Sequence, residues 1–181
     1  MKLFIQVPCL NEEATLGSVL KELPTKIPGV SNIEVLIIDD GSTDRTLEVA
    51  KKHGVQHFVR HNGNKGLALS FRDGLWYCLE HGADIIVNTD GDNQYPGNKI
   101  ADLVKPIIDR RADMVIADRQ TNTIDHFGLG KKILQRFGTW VLNKAAGTKV
   151  PDAPSGFRAY SRDAALKLNV VTRFSYAMET L

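Results

Sequence analysis

The feature that most constrains the fold is an alternation of short apolar runs with longer segments of helical periodicity. The run 35–38 is continuously apolar, which is typical of a strand covered on both faces. Strands that alternate with helices predict βαβ units and a Rossmann-like, mostly parallel sheet with helices on both faces, an α/β fold. We expect strands at 3–7, 33–38, 57–59, 85–87 and 114–117, and helices at 12–23, 44–53, 66–80, 99–110 and 131–145.

Length and composition limit the function classes. A chain of 181 residues fits one domain, and its net charge of +2 gives no indication of nucleic-acid binding. The two cysteines have no CxxC spacing, so neither a disulfide framework nor a zinc site is expected. No apolar run approaches the roughly 18 residues of a membrane span. We expect one domain over 1–181, with a C-terminal truncation suggested by the helix-like segment 175–181.

Polar clusters follow three of the expected strands, at 8–13, 39–44 and 88–94. In an open α/β sheet, ligands bind in the crevice outside the carboxyl ends of the strands. Each cluster alone could be a turn with a helix cap, since Asn11 and Ser42 are good N-cap residues. The three ends lie near one another, however, and together they predict a binding site.

The segment Asp90-Gly91-Asp92 is the most specific indication of a binding site, because it places two carboxylates close together. Two carboxylates about 4 Å apart repel by roughly 4 kcal/mol at an effective dielectric constant of ~20, so a fold that holds them together usually supplies a cation. Carboxylate oxygens suit Mg²⁺ or Mn²⁺, and Gly91 permits close backbone approach to a ligand. The alternative, an ordinary Asp-Gly turn, is disfavoured by the preceding apolar strand and by the other two clusters.

Three further segments have functional potential. Asp39 and Asp40 follow a buried strand and could accept hydrogen bonds from a nucleoside. The glycine-rich segment 62–66 precedes a helix, so its amides and Lys65 could face an anion, although the spacing matches no phosphate-binding fingerprint. The segment 151–158 is either a functional turn or a proline-rich connection before a strand.

The sequence resembles the family 2 glycosyltransferases, especially the polyprenyl-phosphate branch that includes dolichol-phosphate mannosyltransferase-like synthases. The matching motifs occur in the family's order and spacing from about residue 2 to residue 181. They are VPCLNEE (7–13), IIDDGSTDRT (37–46), NKGLALSFRDG (64–74), TDGDNQYP (89–96) and DAPSGFRAY (152–160).

The resemblance implies a GT-A fold, a nucleotide-diphosphate sugar donor, inversion at the anomeric carbon and a place in cell-envelope glycan synthesis. The implied nucleoside contacts are Pro8, Leu10, Glu12, Ile38 and Asp40. The implied diphosphate and metal site uses Mg²⁺ or Mn²⁺ with Asp90, Gly91, Asp92 and Gln94, and adds Lys65, Arg119 and Lys131 as phosphate contacts. Ser155 and Arg158 are implied on the acceptor side.

The implied catalytic residues are Asp92, Arg119, Asp152 and Glu179. A polyprenyl-phosphate acceptor is already an anion and needs no strong base, whereas for a glycan hydroxyl Asp152 or Glu179 takes the proton. Nucleotide sugars are made in the cytosol, so we expect a cytoplasmic chain, with a lipid acceptor adding peripheral contact at the cytoplasmic face of the membrane.

The chain departs from the family pattern near position 131, and two other functions remain open. The branch often has arginine near position 131, where this chain has Lys131 and Lys132, and lysine lacks arginine's bidentate fork. One rival is a sugar-nucleotidyltransferase, although the segment 8–13 lacks the glycine- and Arg/Lys-rich loop expected there. The other is a non-catalytic nucleotide-sugar binding module. The sequence leaves the donor base, the sugar and the oligomeric state open.

Overall fold

A computed structural model of the chain describes residues 1–92, 95–118, 144, 147, 150, 152–172, 176–177 and 179–180. Its six strands are β1 (Lys2–Cys9), β2 (Asn32–Asp39), β3 (His57–Arg60), β4 (Ile85–Asn88), β5 (Met114–Ile116) and β6 (Arg158–Ser161). Its α-helices are α1 (Leu16–Glu22), α2 (Thr46–Lys52), α3 (Leu67–Glu80), α4 (Ile100–Ile108) and α5 (Arg162–Lys167), and a 3₁₀ turn at Gly97–Lys99 precedes α4.

The strands form one mixed sheet in the order β3-β2-β1-β4-β6-β5. The first four strands in that order are parallel, with Leu3 opposite both Ile33 and Ile85. β6 runs antiparallel to β4 and to β5. The chain moves outward from β1 to β3 and then returns to β4 on the other side of β1. This reversal creates a crevice between β1 and β4 at the carboxyl edge, where open α/β sheets bind ligands.

Both faces of the sheet are covered, which confirms the prediction of an α/β fold. On one face Leu3, Ile5 and Val7 of β1 join the buried side chains of α1, α2 and α4. On the other face Phe4 joins the buried side chains of α3 and α5. β1 therefore alternates between two apolar layers, and this explains why it is apolar in nearly every position.

The structure corrects some expected boundaries. α1 begins at Leu16 rather than at residue 12, since the Glu12 amide is bonded to Thr46 at the start of α2 and the Glu13 amide to Asp44 in the loop after β2. β6 and α5 were not predicted, although the segment 151–158 does precede a strand. Of the segment 175–181, the structure describes residues 176–177 and 179–180, which form a bend and turns with the Thr180 amide donating to the Tyr176 carbonyl at 3.2 Å, so the expected opening of a helix there stays a prediction. The predicted helix 131–145 falls outside the described residues except for Lys144.

Among the residues that the structure describes, no helix is long and apolar enough to cross a membrane.

A substitution at Gly41 tests the contact between the loops that follow β2 and β3. Gly41 has φ +88°, and a Cβ there would lie 2.6 Å from the backbone of Gly63. Gly54 has a similar φ of +81° with open space around it, so it is a matched control. We expect Gly54→Ala to cost about 1 kcal/mol from left-handed strain, and Gly41→Ala to cost about 2–4 kcal/mol because the backbone must also move. Urea unfolding measures both, and equal losses would contradict the close approach.

Candidate active site

A cavity of about 350 Å³ opens at the carboxyl edge of the sheet, between the ends of β1, β2 and β4 and the first turn of α3. It therefore occupies the crevice created by the chain reversal. Its walls are formed by Pro8, Cys9, Leu10, Glu12, Asp40, Asn64, Gly66, Leu67, Ser70, Asp90, Gly91 and Asp92. All three polar clusters that the sequence singled out contribute to it.

The loop after β1 is held in place by the loop after β2 and by the first residue of α2. The Glu12 amide donates to Thr46 Oγ1 at 2.8 Å, and the Thr43 amide donates to Asn11 Oδ1 at 2.9 Å. The Glu13 amide donates to Asp44 Oδ2 at 3.1 Å. Asn11 itself adopts φ +57°, a conformation that asparagine tolerates better than most residues. These bonds fix the backbone that presents Leu10 and Glu12 to the cavity.

Asp40 is buried and binds three donors. Its Oδ1 accepts from the Lys65 amide at 2.9 Å and lies 2.7 Å from Nδ1 of the buried His61, and its Oδ2 accepts from the Gly66 amide at 2.9 Å. Burial alone raises the pKa of Asp40, but the hydrogen bonds from His61, Lys65 and Gly66 outweigh it, so the pKa lies below its ordinary value. Asp40 is therefore an ionised acceptor at the cavity wall.

Asp39 has a different role from its neighbour. It is fully buried, its Oδ1 accepts from the Ser42 amide at 2.9 Å, and its Oδ2 lies 3.4 Å from Arg60 Nε. Asp40 lines the cavity, and Asp39 holds the loop after β2.

The Asp90–Asp92 turn follows β4 and packs closely on the end of β1. A Cβ on Gly91 would lie 3.0 Å from Cys9 Sγ and 3.4 Å from Glu12 Cγ, so a larger residue would displace the turn. Burial raises the pKa of the Cys9 thiol, and the charges of Glu12, Asp39, Asp90 and Asp44 raise it further. The thiol therefore stays protonated in a region of negative potential.

These surroundings fit a hard divalent cation. The two carboxylates Asp90 and Asp92 border the cavity, and the nearby sulfur of Cys9 is not available as a thiolate ligand. Within the described part of the chain, no group of three or more His, Cys, Asp or Glu side chains is placed to hold a metal. Two carboxylates suit Mg²⁺ or Mn²⁺, which share their remaining positions with phosphate oxygens and water, and do not suit a closed structural site.

The segment before β6 lies next to the aspartate turn. Asp90 Oδ2 lies 3.4 Å from the position of a Cβ on Gly156. The Gly156 carbonyl accepts from Asn88 Nδ2 at 3.1 Å and from the Tyr176 hydroxyl at 3.2 Å. Burial raises the pKa of Tyr176, and the charges of Tyr160 and Asp90 add to this. Tyr176 is therefore a neutral hydroxyl close to Asp90.

Arg158 organises this region from inside the protein. Its guanidinium is fully buried and donates to the carbonyls of Ser155, Ala153 and Ala177 and to Thr180 Oγ1, at distances of 2.5 to 2.7 Å. A buried cation with hydrogen-bonded donors is costly to disturb, so Arg158 joins the segment before β6 to residues 177 and 180.

Comparison with known proteins gives the family. The sequence pattern described as Glycosyl transferase family 2 matches residues 4–168. The chain belongs to glycosyl transferase family 2.

An uncharacterized protein of Methanocaldococcus jannaschii is 36% identical over 92% of this chain and 68% of its own length. The UDP-N-acetylglucosamine–dolichyl-phosphate N-acetylglucosaminyltransferase of Methanococcus voltae is 27% identical over 90% of this chain and 70% of its own length. The undecaprenyl-phosphate mannosyltransferase of Micrococcus luteus is 25% identical over 99% of this chain and 75% of its own length.

The fold is shared with solved structures. Glucosyl-3-phosphoglycerate synthase of Mycobacterium tuberculosis superimposes with a TM-score of 0.74 at 24% identity, covering 99% of this chain and 62% of that structure. The chain thus spans less than two thirds of this structural neighbour. The likeness confirms the predicted GT-A fold, and the family match confirms the resemblance from which that fold was inferred.

Seven of the predicted site residues of this family 2 chain line the cavity: Pro8, Leu10, Glu12, Asp40, Asp90, Gly91 and Asp92. Ile38 is buried against Gly74 of α3, and the exposed Lys65 contributes its backbone amide to Asp40. Gln94, Arg119 and Lys131 lie outside the described residues.

Four acceptor-side or base candidates do not line this cavity, as far as the described residues show: Asp152, Ser155, Arg158 and Glu179. Asp152 and Ser155 are buried. Glu179 accepts from the amides of Val171 at 3.0 Å and Thr172 at 2.9 Å. Burial raises the pKa of Glu179, but hydrogen bonds from the Thr172 side chain and from these two amides lower it overall, so Glu179 is a weak base.

Sequence reasoning missed Cys9, Leu67 and Ser70 as cavity residues. The sequence spacing could have identified Leu67 and Ser70. Leu67 and Ser70 are three residues apart, and Ser70 is four residues after Gly66, so they share one helix face with the glycine that contacts Asp40. No polarity pattern marks Cys9, which lines the cavity only because β1 ends there.

The depressed pKa of Asp40 makes stability depend on pH. Because the folded pKa lies below the unfolded value, the contribution of Asp40 is complete at neutral pH and is lost as pH falls through the acid range, from about pH 5 downward. We expect Asp40→Asn to lose about 1–3 kcal/mol at pH 7 and to show a shallower acid decline than the wild type. Urea unfolding from pH 7 to pH 3 measures this. The exposed Asp102→Asn is the control, and an unchanged acid slope in Asp40→Asn would contradict the assignment.

Proposed function

We propose that this family 2 chain is an inverting glycosyltransferase that uses a divalent metal and moves a sugar from a nucleotide-diphosphate sugar to an acceptor, with residues 1–181 acting as one catalytic domain. One observation carries the proposal. The apolar edge at Pro8 and Leu10, the ionised Asp40 and the Asp90–Asp92 turn surround a single cavity at the carboxyl edge of the sheet. The cavity thus combines an apolar wall, a hydrogen-bond acceptor and a cation site, which are the parts a nucleotide diphosphate requires.

Related proteins support this choice of donor and metal. The structural neighbour from Mycobacterium tuberculosis was crystallised with UDP and with Mn²⁺. In this chain Asp90 and Asp92 would hold the ion, and Gln94 remains a proposed third ligand. When bound, Mg²⁺ or Mn²⁺ supplies positive charge that stabilises the leaving diphosphate.

In the transfer step, an acceptor oxygen forms a bond to the anomeric carbon from the side opposite the diphosphate. The bond between that carbon and the diphosphate oxygen breaks, and its electron pair leaves with the nucleoside diphosphate. The configuration of the carbon is thereby inverted. We assign Arg119, Lys65 and Lys131 to the neutralisation of the diphosphate, and Ser155 and Arg158 to the acceptor side, where buried Arg158 acts as a positioning residue.

For the acceptor we propose a polyprenyl phosphate, since the relatives from Methanococcus voltae and Micrococcus luteus are named for dolichyl phosphate and undecaprenyl phosphate. A phosphate acceptor is already ionised, so the step needs no strong base. This agrees with Glu179, whose carboxylate is engaged by two backbone amides. For a glycan hydroxyl, Asp152 or Glu179 would have to take the proton. A lipid acceptor would place this chain at the cytoplasmic face of a membrane by peripheral contact.

Asp92→Ala tests the metal assignment. We expect transfer from a nucleotide sugar to polyprenyl phosphate to fall by about 100-fold or more, because the charge on the leaving diphosphate is no longer neutralised. Radiolabelled sugar transfer at several Mn²⁺ concentrations measures the effect. Asp102→Ala on the exposed face of α4 is the matched control and should retain full activity. If Asp92→Ala keeps full activity with an unchanged dependence on Mn²⁺, the metal assignment is wrong.

Two assays on the wild-type chain distinguish the proposed transferase from its rivals. A sugar-nucleotidyltransferase would release pyrophosphate from a nucleoside triphosphate, whereas the proposed transferase would not. A non-catalytic binding module would bind nucleotide sugar in calorimetric titrations with Mn²⁺ and yet transfer no sugar to polyprenyl phosphate.

A further inference from the structure

His61 is a buried histidine whose ring lies between two carboxylates, and the proposed function leaves it without a role. The residue is only 4% exposed. Its Nδ1 lies 2.7 Å from Asp40 Oδ1, and its Nε2 lies 3.2 Å from Asp73 Oδ2 on α3. Asp40 and Gly66 line the cavity, whereas the buried His61 reaches the cavity through its bond to Asp40. Any effect of His61 on a ligand therefore passes through this wall.

Both carboxylates next to the ring are ionised. Asp40 accepts from two backbone amides in addition to the ring, and its hydrogen bonds outweigh the effect of burial on its pKa. Asp73 Oδ1 accepts from Nε and Nη2 of Arg72 at 3.2 and 3.0 Å, which is an ion pair. An ionised carboxylate accepts hydrogen bonds and donates none, and a neutral imidazole has only one N–H. Both ring nitrogens of His61 therefore donate, which requires the protonated ring.

The charges around the ring suit this positive charge. Asp40 faces it from the end of β2 and Asp73 faces it from α3. The other charged groups nearby are paired or exposed: Arg72 is paired with Asp73, Arg60 with Asp39, and the Lys65 side chain is exposed. Two carboxylates on opposite sides of the ring give a buried cation the partners that it needs.

Loss of the ring proton would disturb the cavity wall without detaching it. One ring nitrogen would then present a lone pair to a carboxylate oxygen, so that two acceptors face each other. The ring or the Asp40 carboxylate would have to turn away. The loop stays on the sheet because the His61 amide donates to the Asp39 carbonyl at 2.9 Å, and neither group titrates. The change therefore falls on the orientation of Asp40 and of the Lys65 and Gly66 amides bonded to it.

We propose that His61 is a positioning residue, whose protonated ring holds Asp40 and the loop 61–66 in the arrangement that binds the nucleotide. The inference rests on the proposed function and adds a pH dependence to it. Because the binding arrangement needs the proton, nucleotide affinity is complete while the ring is protonated and is lost as pH rises and the proton leaves.

Calorimetric titrations of the whole chain between about pH 6 and about pH 8.5 test the inference, a range in which histidine side chains titrate. The probe is whichever of UDP, GDP and CDP, each with Mg²⁺, binds the wild type most tightly at neutral pH. We expect wild-type affinity to fall by about tenfold towards the alkaline end, which corresponds to about one charge-assisted hydrogen bond. His53→Gln, which changes the exposed histidine that follows α2, is the matched control and should keep this fall.

Asp73→Asn distinguishes a required proton from a purely structural contact. The introduced amide can donate to Nε2 of the neutral ring, so that Nδ1–H still donates to Asp40, and its oxygen still accepts from Arg72. We therefore expect Asp73→Asn to bind the probe within about twofold of the wild type at the acid end and to keep that affinity at the alkaline end. Titration of the nucleotide itself affects all variants alike. His61→Gln should bind about tenfold more weakly at every pH.

Nitrogen-15 NMR of the histidine rings gives a second readout that needs no ligand. We expect two protonated ring nitrogens for His61 in the wild type at neutral pH, assigned by their loss in His61→Gln. If His61→Gln does not fold, the signals that change in Asp73→Asn give the assignment. A single protonated nitrogen in the wild type at neutral pH would overturn the inference.

The outcomes separate this inference from the proposed function. A wild-type affinity that does not change with pH, or an alkaline loss in Asp73→Asn equal to that of the wild type, overturns the role of His61 and leaves the proposed transferase standing. A wild type that binds none of the three nucleotides with Mg²⁺ overturns both.

Discussion

The site depends on the hydrogen bonds that the buried Asp40 carboxylate accepts. It joins the end of β2 to His61 after β3 and to the Lys65 and Gly66 amides before α3. His61 extends the connection to Asp73 on α3, at 3.2 Å from its Nε2. Together with the bond from the His61 amide to the Asp39 carbonyl and the close packing of Gly63 on Gly41, these bonds hold the loop 61–66 against the end of the sheet and form one wall of the cavity.

A second polar network supports the opposite wall. Asn88, at the end of β4, accepts from Gln6 Nε2 at 3.0 Å and donates to the Tyr176 hydroxyl at 2.7 Å. Tyr176 stacks on Phe71 of α3 with ring centroids 3.9 Å apart. The strand that ends in the Asp90–Asp92 turn is thereby bonded to β1 and to the segment near residue 176. These buried hydrogen bonds fix the position of the strand end.

Much of the fold could be predicted because it follows from periodicity. The apolar runs and helical stripes identify β1 to β5 and α2 to α4, and right-handed βαβ connections then leave little freedom in the parallel part of the sheet. The start of α1 and the direction of β6 could not be predicted. The first depends on hydrogen bonds between loops 31 to 34 residues apart, and the second depends on a connection whose path no local pattern specifies.

The sequence predicted which loops form the site, but not the contacts that individual side chains make in it. Strand ends and the resemblance indicated the three clusters, and the resemblance implied Asp40 rather than Asp39, but neither indicated that the Arg158 charge is buried. Arginine is seldom fully buried, so its sequence position gave no reason to expect four donors satisfied inside the protein.

A crystal structure of the chain with UDP and Mn²⁺ tests the central claim most directly. The account predicts an anomalous manganese peak at Asp90 and Asp92, with the diphosphate beside it and the base near Asp40. A nucleotide bound elsewhere, or a manganese peak away from both carboxylates, would contradict it.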